Sequence, residues 1–434
     1  MRISGPDAFT VADRIFRCRG KPPSARPAGT FAIGHVIDGE QVIDQALLLI
    51  MRAPHSYTSE DVVEIQGHGG RQCARRILRC ALDAGARSAD PGEFTQRAFL
   101  NGRIDLVQAE AVLDLIHARS ERAAAAALDQ LEGRLSDRFN ALYDDILLIA
   151  ADIEATLDFP EDELPDTVMP DLIRRTADAV TRMETLIASW DEGHLLRDGA
   201  LVVISGKPNV GKSTLLNALV GHDRAIVTGT PGTTRDTIEE DLVIGGIPIR
   251  LIDTAGLRDT DCEIERIGIQ RTRSRMEKAD LHIYMVDASQ PIDDQEQQVI
   301  ASLPPNRSLL LLNKIDLTDG SSNFSARVPS IETSLIQSAY GEQVKEMIRS
   351  ILAGRLDLEA RPHAAISERH RRLLSTAMDE LQETRTMLEA GAEDLVALAS
   401  SRMRTALEQL GAVTGRTYQE ELLNNIFSRF CIGK

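Results

Sequence analysis

Gly206-Lys207-Pro208-Asn209-Val210-Gly211-Lys212-Ser213 follows directly on the apolar run Ala200-Leu201-Val202-Val203-Ile204. G-x-x-x-x-G-K-S between a strand and a helix is a phosphate-binding loop. Its glycines let backbone N–H groups turn toward phosphates. Lys212 offers a point charge to the β- and γ-phosphates, and the Ser213 hydroxyl can hold Mg²⁺. Thr214 to Leu219 continue as a helix whose positive N-terminal end also favours anions.

Outward from the loop, residues 199–355 alternate apolar strands with helices, as a parallel α/β sheet does. Asp253-Thr254-Ala255-Gly256 follows the strand Ile247 to Ile252; Asp253 reaches Mg²⁺ through water, and the Gly256 N–H senses the γ-phosphate. Thr233-Thr234 lies in the loop between, where a hydroxyl, that of Thr234, can be the second protein ligand of Mg²⁺. Asn313-Lys314-Ile315-Asp316 follows the strand Ser308 to Leu312. The Asp316 carboxylate can accept from guanine N1 and the 2-amino group, a donor pair that adenine lacks. Ser338-Ala339-Tyr340, after the next apolar segment, can cap guanine O6 by backbone N–H. Each short motif alone is weak. In this order and context they specify GTP.

One position departs from Ras-type switch proteins. Leu257 stands where those place the glutamine that orients water, and Leu cannot orient water. A stimulating group in such enzymes is worth about 10⁵-fold, roughly 7 kcal/mol of barrier. Glu263 and Glu265 are nearby acidic candidates; taken alone they read equally as a solvated acidic loop.

The flanks differ. Residues 1–103 mix strands (Thr30 to Val36 and Gln41 to Met51, around Asp38-Gly39) with a helix from Gly70 to Ala84. In 104–198, Leu128, Leu131, Leu135, Phe139, Leu142, Ile146, Ile149 and Ile153 step by three and four, which predicts one long amphipathic helix ending near Phe159-Pro160. Val180, Met183, Ile187 and Trp190 mark another. In 356–434, Leu374, Met378 and Leu381 form one stripe, and Val396, Ala399, Met403, Leu407 and Leu410 a second, with Gly391 and Gly411 separating helices. Helices on both sides of a nucleotide domain suggest an insertion, with 104–198 and 356–434 packing as one helical domain.

The net charge of −17 argues against a protein that coats nucleic acid, without excluding a local basic face. Five scattered cysteines with no C-x-x-C pair exclude a disulfide framework and fit a reducing, cytoplasmic setting. The start is no signal peptide, and no apolar run is long enough for a membrane span.

Ser56-Tyr57-Thr58-Ser59-Glu60-Asp61-Val62-Val63-Glu64-Ile65-Gln66-Gly67-His68-Gly69-Gly70, Pro91-Gly92-Glu93-Phe94-Thr95 through Arg97-Ala98-Phe99-Leu100-Asn101-Gly102, Gly229-Thr230-Pro231-Gly232-Thr233-Thr234-Arg235-Asp236 and the ending Phe430-Cys431-Ile432-Gly433-Lys434 closely resemble the MnmE (TrmE) family of tRNA-modification GTPases. The resemblance spans almost the whole chain. It implies a multidomain α/β plus α protein: an N-terminal α+β folate-binding and dimerisation domain at 1–103, a discontinuous helical domain at 104–198 and 356–434, and an inserted Ras-like P-loop GTPase domain at 199–355. It implies a GTP hydrolase acting as a homodimer with the FAD protein MnmG. Together they add a (carboxymethyl)aminomethyl group to C5 of wobble uridine 34 in tRNA, using a one-carbon unit from 5-formyl- or 5,10-methylene-tetrahydrofolate. It further implies that K⁺ and G-domain dimerisation replace the missing glutamine, with Asn209, Thr228, Thr230 and Thr233 around the cation. Glu265 then positions water and Arg258 supports it. Arg2, Glu64, Arg103 and Lys434 match the folate residues, and Cys431 is a possible reactive thiol or a small buried residue.

Family members carry roughly twenty residues before the position of Arg2, beginning a strand and a Pro/Gly-rich loop; a start upstream of Met1 is expected, the alternative being a protein that lacks this first strand and has a weakened folate pocket and dimer. Two other readings compete: an Era- or Der-type ribosome-assembly GTPase, which predicts a basic domain after residue 356, and a scaffold whose nucleotide only sets a dimer state. Arg369, Arg371 and Arg372 form the only dense basic cluster in that tail.

Overall fold

A computed structural model describes residues 1–158, 167–221, 239–253, 279–318, 327–354, 366–430 and 433. The chain divides into two compact units, residues 1–113, 131–172 and 386–434 in one, and residues 114–130 and 173–385 in the other.

The first unit opens with β1 (Arg2–Ser4), α1 (Ala8–Ile15), β2 (Phe16–Cys18), β3 (Thr30–Asp38), β4 (Gln41–Met51), β5 (Val62–Gln66), α2 (Arg71–Asp83) and α3 (Glu93–Leu100). The strands form an antiparallel sheet in the order β1-β5-β4-β3-β2. The β3–β4 hairpin turns on Gly39-Glu40, with Asp38 opposite Gln41. Alternation along the strands points Ala32, Val36, Ala46, Leu48 and Ile50 inward, where Ile15 of α1 and Ile77 and Ala81 of α2 close the core.

Helices follow: α4 (Leu106–His117), α5 (Glu121–Leu131), α6 (Arg134–Asp158), α7 (Val168–Ala188) and α8 (Trp190–Arg197). The single long helix expected across Leu128 to Ile153 is two helices. Gly133 takes φ +92, a left-handed value that ends α5 before α6 begins. The inward stripe of α5 is Ala123, Ala126, Ala127 and Gln130, so Leu128 is exposed. The rest of the stripe, Leu135 to Ile153, is buried as expected. Trp190 likewise begins its own helix rather than ending α7.

The second unit holds β6 (Ala200–Gly206), α9 (Lys212–Val220), β7 (Glu239–Ile244), β8 (Ile247–Asp253), β9 (Leu281–Asp287), α10 (Asp294–Ser302), β10 (Ser308–Asn313), β11 (Ser330–Thr333) and α11 (Ser338–Ala353). The sheet order is β11-β10-β9-β6-β8-β7, parallel except for β7. Val202, Ile204, Ile283, Leu309 and Leu311 are almost fully buried, as strands of a parallel sheet must be.

The chain closes with α12 (Glu368–Ala390), α13 (Glu393–Thr414) and α14 (Glu420–Phe427). Gly411 does not separate helices as expected. It lies inside α13, whose stop is Gly415 at φ +84. In the first unit α13 packs on α6, and Arg404–Glu154 on the helices and Arg416–Asp144 just past the end of α13 run in opposite order along the chain, so the two helices are antiparallel. Phe99, Leu106, Ile426, Phe427 and Phe430 make a separate small core there.

Candidate functional site

The phosphate-binding loop joins β6 to α9 at the C-terminal edge of the parallel sheet, where open α/β sheets bind ligands. Gly206 (φ +144), Asn209 (φ +62) and Gly211 (φ +107) all have left-handed backbones. Asn is among the few non-glycine residues that adopt this conformation readily. At Gly211 a Cβ would collide with the Asn313 amide. Lys212 is buried, and its Nζ donates to the carbonyls of Gly206 at 3.0 Å and Lys207 at 2.7 Å. Its ammonium is thereby held inside the loop. Ser213 and Thr214 are exposed on the first turn of α9.

Asn313 ends β10 beside Asp287 of β9 and Thr333 of β11. It is buried, and its Nδ2 donates to the Val210 carbonyl at 2.8 Å. Its Oδ1 accepts from Leu335 N at 3.2 Å and Thr333 Oγ1 at 3.4 Å. One side chain therefore ties the phosphate loop to the segment after β11. Lys314 (φ +67) donates to Asp287 Oδ2 at 2.6 Å. Burial works against that carboxylate's charge, but Lys314 and Ser289 hold it below the usual carboxylate range. Asp316 is exposed on the short turn Ile315–Leu317 and makes no side-chain hydrogen bond among the described residues. Ala339 and Tyr340 lie in the first turn of α11, which begins at Ser338. Lys207 braces the loop from the other side, with Nζ 2.8 Å from Asp293 Oδ2 and 2.9 Å from Glu296 Oε2 at the start of α10. The sheet thus collects the expected phosphate loop and the expected guanine-reading turn on one edge.

A second cluster sits in the N-terminal sheet. Arg2 and Glu64 are cross-strand partners on β1 and β5, and Arg2 Nε donates to Glu64 Oε1 at 2.6 Å. The Arg2 guanidinium lies 4.6 Å from the centre of the Tyr57 ring, and that of Arg103 lies 5.1 Å from the same ring. Arg103 also donates to the Tyr57 carbonyl at 2.6 Å. Arg2 Nη1 is a buried donor without a hydrogen-bond partner among the described residues, a costly state that an acceptor would relieve. A cleft of about 650 Å³ opens here, lined by Arg2, Glu64, Glu93, Phe94, Arg97 and Gly433 among others. Glu93 is held at a pKa of about 2, chiefly by Arg87 against the cost of burial, with Arg97 adding to it.

The comparisons agree with this geometry. The family model described as "MnmE helical domain" matches residues 106–431, and "GTP-binding protein TrmE N-terminus" matches residues 1–103. The tRNA modification GTPase MnmE of Geobacter metallireducens is 42% identical over 445 residues, covering 100% of this chain and 95% of the relative. That of Symbiobacterium thermophilum is 44% identical, covering 100% and 96%. The chain belongs to the MnmE family of tRNA modification GTPases. Among solved structures, the G domain of the T. maritima FeoB iron transporter is 27% identical over 36% of this chain and 98% of that one; its TM-score of 0.27 carries no weight beside the family match.

For this MnmE chain the structure brings together Asn209, Val210, Gly211, Lys212, Ser213, Thr214, Asn313, Lys314, Asp316, Ala339 and Tyr340 at one sheet edge, with the backbone of Ser338 and the end of β8 at Asp253. It brings Arg2 and Arg103 to the Tyr57 ring and pairs Glu64 with Arg2. Thr228 to Thr234, Thr254 to Gly256, Arg258, Glu265, Cys431 and Lys434 lie outside the described residues. Sequence reasoning missed Lys207, Asp287, Thr333 and Tyr57. Tyr57 stands inside a segment that matches the family, but nothing in the chain order says that two arginines share its ring.

Proposed function

We propose that this MnmE GTPase depends on K⁺ and works as a homodimer with an MnmG-type FAD protein. The pair adds a (carboxymethyl)aminomethyl group to C5 of wobble uridine 34 in tRNA, with tetrahydrofolate as one-carbon donor. The proposed domain limits are residues 103, 198 and 355. The observation that supports the nucleotide part of the reading is the Asn313 bridge: it ties the phosphate loop to the segment after β11, so one side chain would brace both ends of a guanine nucleotide.

The residues fit the groups implied. Ser213 is exposed on the first turn of α9, and with Thr234 it would hold Mg²⁺. Asn209 is exposed at the apex of the loop, and with Thr228, Thr230 and Thr233 it would hold K⁺ by oxygen donors, which suit a hard cation. When bound, such cations neutralise charge that develops between the β- and γ-phosphates. The chain itself supplies Lys212 for the phosphates, Glu265 for orienting water, Arg258 to support it, and Asp316 for the guanine edge. Arg2, Glu64, Arg103 and Lys434 would hold the folate. A carboxylate pairs with a pterin amide and amine, arginines with carboxylates or carbonyls, and the orphaned Arg2 donor fits that demand.

The test is GTP hydrolysis by the full chain in K⁺ against Na⁺, with nucleoside analysis of tRNA from cells that rely on this protein. Faster turnover in K⁺ together with a modified wobble uridine is expected. Equal rates in the two salts would remove the cation mechanism.

A further inference from the structure

We propose that the outer face of α2 is an RNA-docking surface that holds the phosphate backbone of the tRNA. This rests on the reading that the chain acts on tRNA, and adds where the RNA sits.

The charge of the chain is unevenly placed. Residues 1–103 contain 14 Lys and Arg against 11 Asp and Glu, a net +3, while residues 104–434 carry −20. Within this first segment α2 carries four arginines; it reads Arg71-Gln72-Cys73-Ala74-Arg75-Arg76-Ile77-Leu78-Arg79-Cys80-Ala81-Leu82-Asp83. Ile77, Cys80 and Ala81 are buried against the sheet. Arg71, Arg75 and Arg79 recur every four residues on the opposite side, so they form a single outward stripe. At 1.5 Å per residue the stripe is about 12 Å long. Arg76 flanks it. All four are exposed. Arg71, Arg75 and Arg76 have no ion pair among the described residues, and Arg79 meets only Asp83 at 3.6 Å, with 83% of its side chain exposed. No acidic residue occurs on the helix before Asp83.

A helix that stabilised itself would carry acids four residues from most of these arginines; here only Arg79 has one, Asp83 at the last position. This one instead stacks like charges and tolerates their repulsion. Its positive N-terminal end adds to the same field. A row of arginine forks on an otherwise acidic chain is complementary to a row of phosphates. The apolar outer side of the sheet, with Phe31 and Ile33, is the opposite face, so covering one leaves the other free.

The experiment is anisotropy of a labelled, unmodified tRNA transcript with uridine at position 34, titrated with the full-length protein from 50 to 200 mM salt. The triple variant Arg71→Gln/Arg75→Gln/Arg79→Gln should bind at least about tenfold more weakly at low salt. Its salt exponent should fall by about 2 to 3, near one for each phosphate that an arginine no longer neutralises. Arg71→Lys/Arg75→Lys/Arg79→Lys should keep most of the affinity, because charge is what matters. GTP hydrolysis without tRNA should be unchanged in both, which shows that they fold. Unchanged affinity and exponent in the glutamine variant would overturn the proposal while wild-type wobble modification kept the functional reading intact. Loss of binding to phosphatidylserine vesicles or polyglutamate, with tRNA binding retained, would assign the face to another partner and also overturn it. A wild-type chain that neither binds tRNA nor modifies it would bring down both.

Discussion

Asn313 and Asp316 stand three residues apart and do different work. Asn313 is buried and holds the Val210 carbonyl, while Asp316 is exposed on the following turn. Removing the Asn313 side chain leaves the Val210 carbonyl and the Leu335 amide without their partner, a cost of about 1–3 kcal/mol. Asn313→Ala should therefore weaken GTP and ITP alike, by about 10- to 100-fold in Kd. Asp316→Ala should instead erase the preference for GTP over ITP, since inosine lacks the 2-amino donor that the carboxylate reads. Titration of the two variants with fluorescent analogues of both nucleotides separates the roles; an Asn313 variant that discriminates poorly but binds tightly would refute the brace. The sequence disclosed these residues because phosphate loops and guanine turns impose fixed spacings on short segments. It could not disclose their partners. Asp287 and Thr333 reach Asn313 and Lys314 only because three parallel strands come into register.

At the scale of the element, α8 is fastened to the start of the parallel sheet by His194. Its Nδ1 lies 3.0 Å from Asp198 and its Nε2 lies 3.6 Å from Asp280, which also accepts the Leu201 N–H. Asp198, then Asp280, raises the imidazole pKa to about 9 against the cost of burial. His282 on β9 is the opposite case. It is buried beside Ser205, and burial lowers its pKa to about 4. The unfolded value for both is about 6.5. The contribution of His194 is complete below pH 6.5 and is lost as pH rises through 9. That of His282 is complete above pH 6.5 and is lost as pH falls through 4. Each is worth at most about 3 kcal/mol, and the second unit should be most stable near pH 6 to 7. The only tryptophan, Trp190, stacks on His194 with centroids 4.8 Å apart, and so reports the event directly. Its fluorescence should rise with a midpoint near pH 9 as the cationic quencher loses its proton, and His194→Gln should abolish the step. A flat profile in the wild type would mean that His194 is not held as a cation. Helical period alone located α6 but ran straight through Gly133, because steps of three and four continue across a break; the φ of one glycine is invisible to a hydrophobic pattern.

On the scale of the molecule, the N-terminal sheet leaves one apolar face uncovered among the described residues. Phe31 is 64% exposed and Ile33 61%, and the register sets them opposite Leu49 and Leu47 on β4. The sequence showed apolar residues at both odd and even positions of β3, which says that both sides of a strand are to be covered. It could not say by what. The structure assigns α1 and α2 to one side. Aligned, exposed aromatic and branched residues of this kind can mark a contact surface, and a second copy of the same sheet would cover them by two-fold symmetry. Phe31→Glu/Ile33→Glu should turn a dimer into a monomer in sedimentation at micromolar concentration. GTP affinity should hold, because the proposed nucleotide residues among those described, Asn209 to Thr214 and Asn313 to Asp316, belong to the second unit. Folate binding should fall only if the partner copy completes the cleft at Arg2, so measuring it in the same variant tells whether that site belongs to one chain or to two. A wild-type chain that sediments as a monomer would leave the apolar face unexplained and the dimer without support.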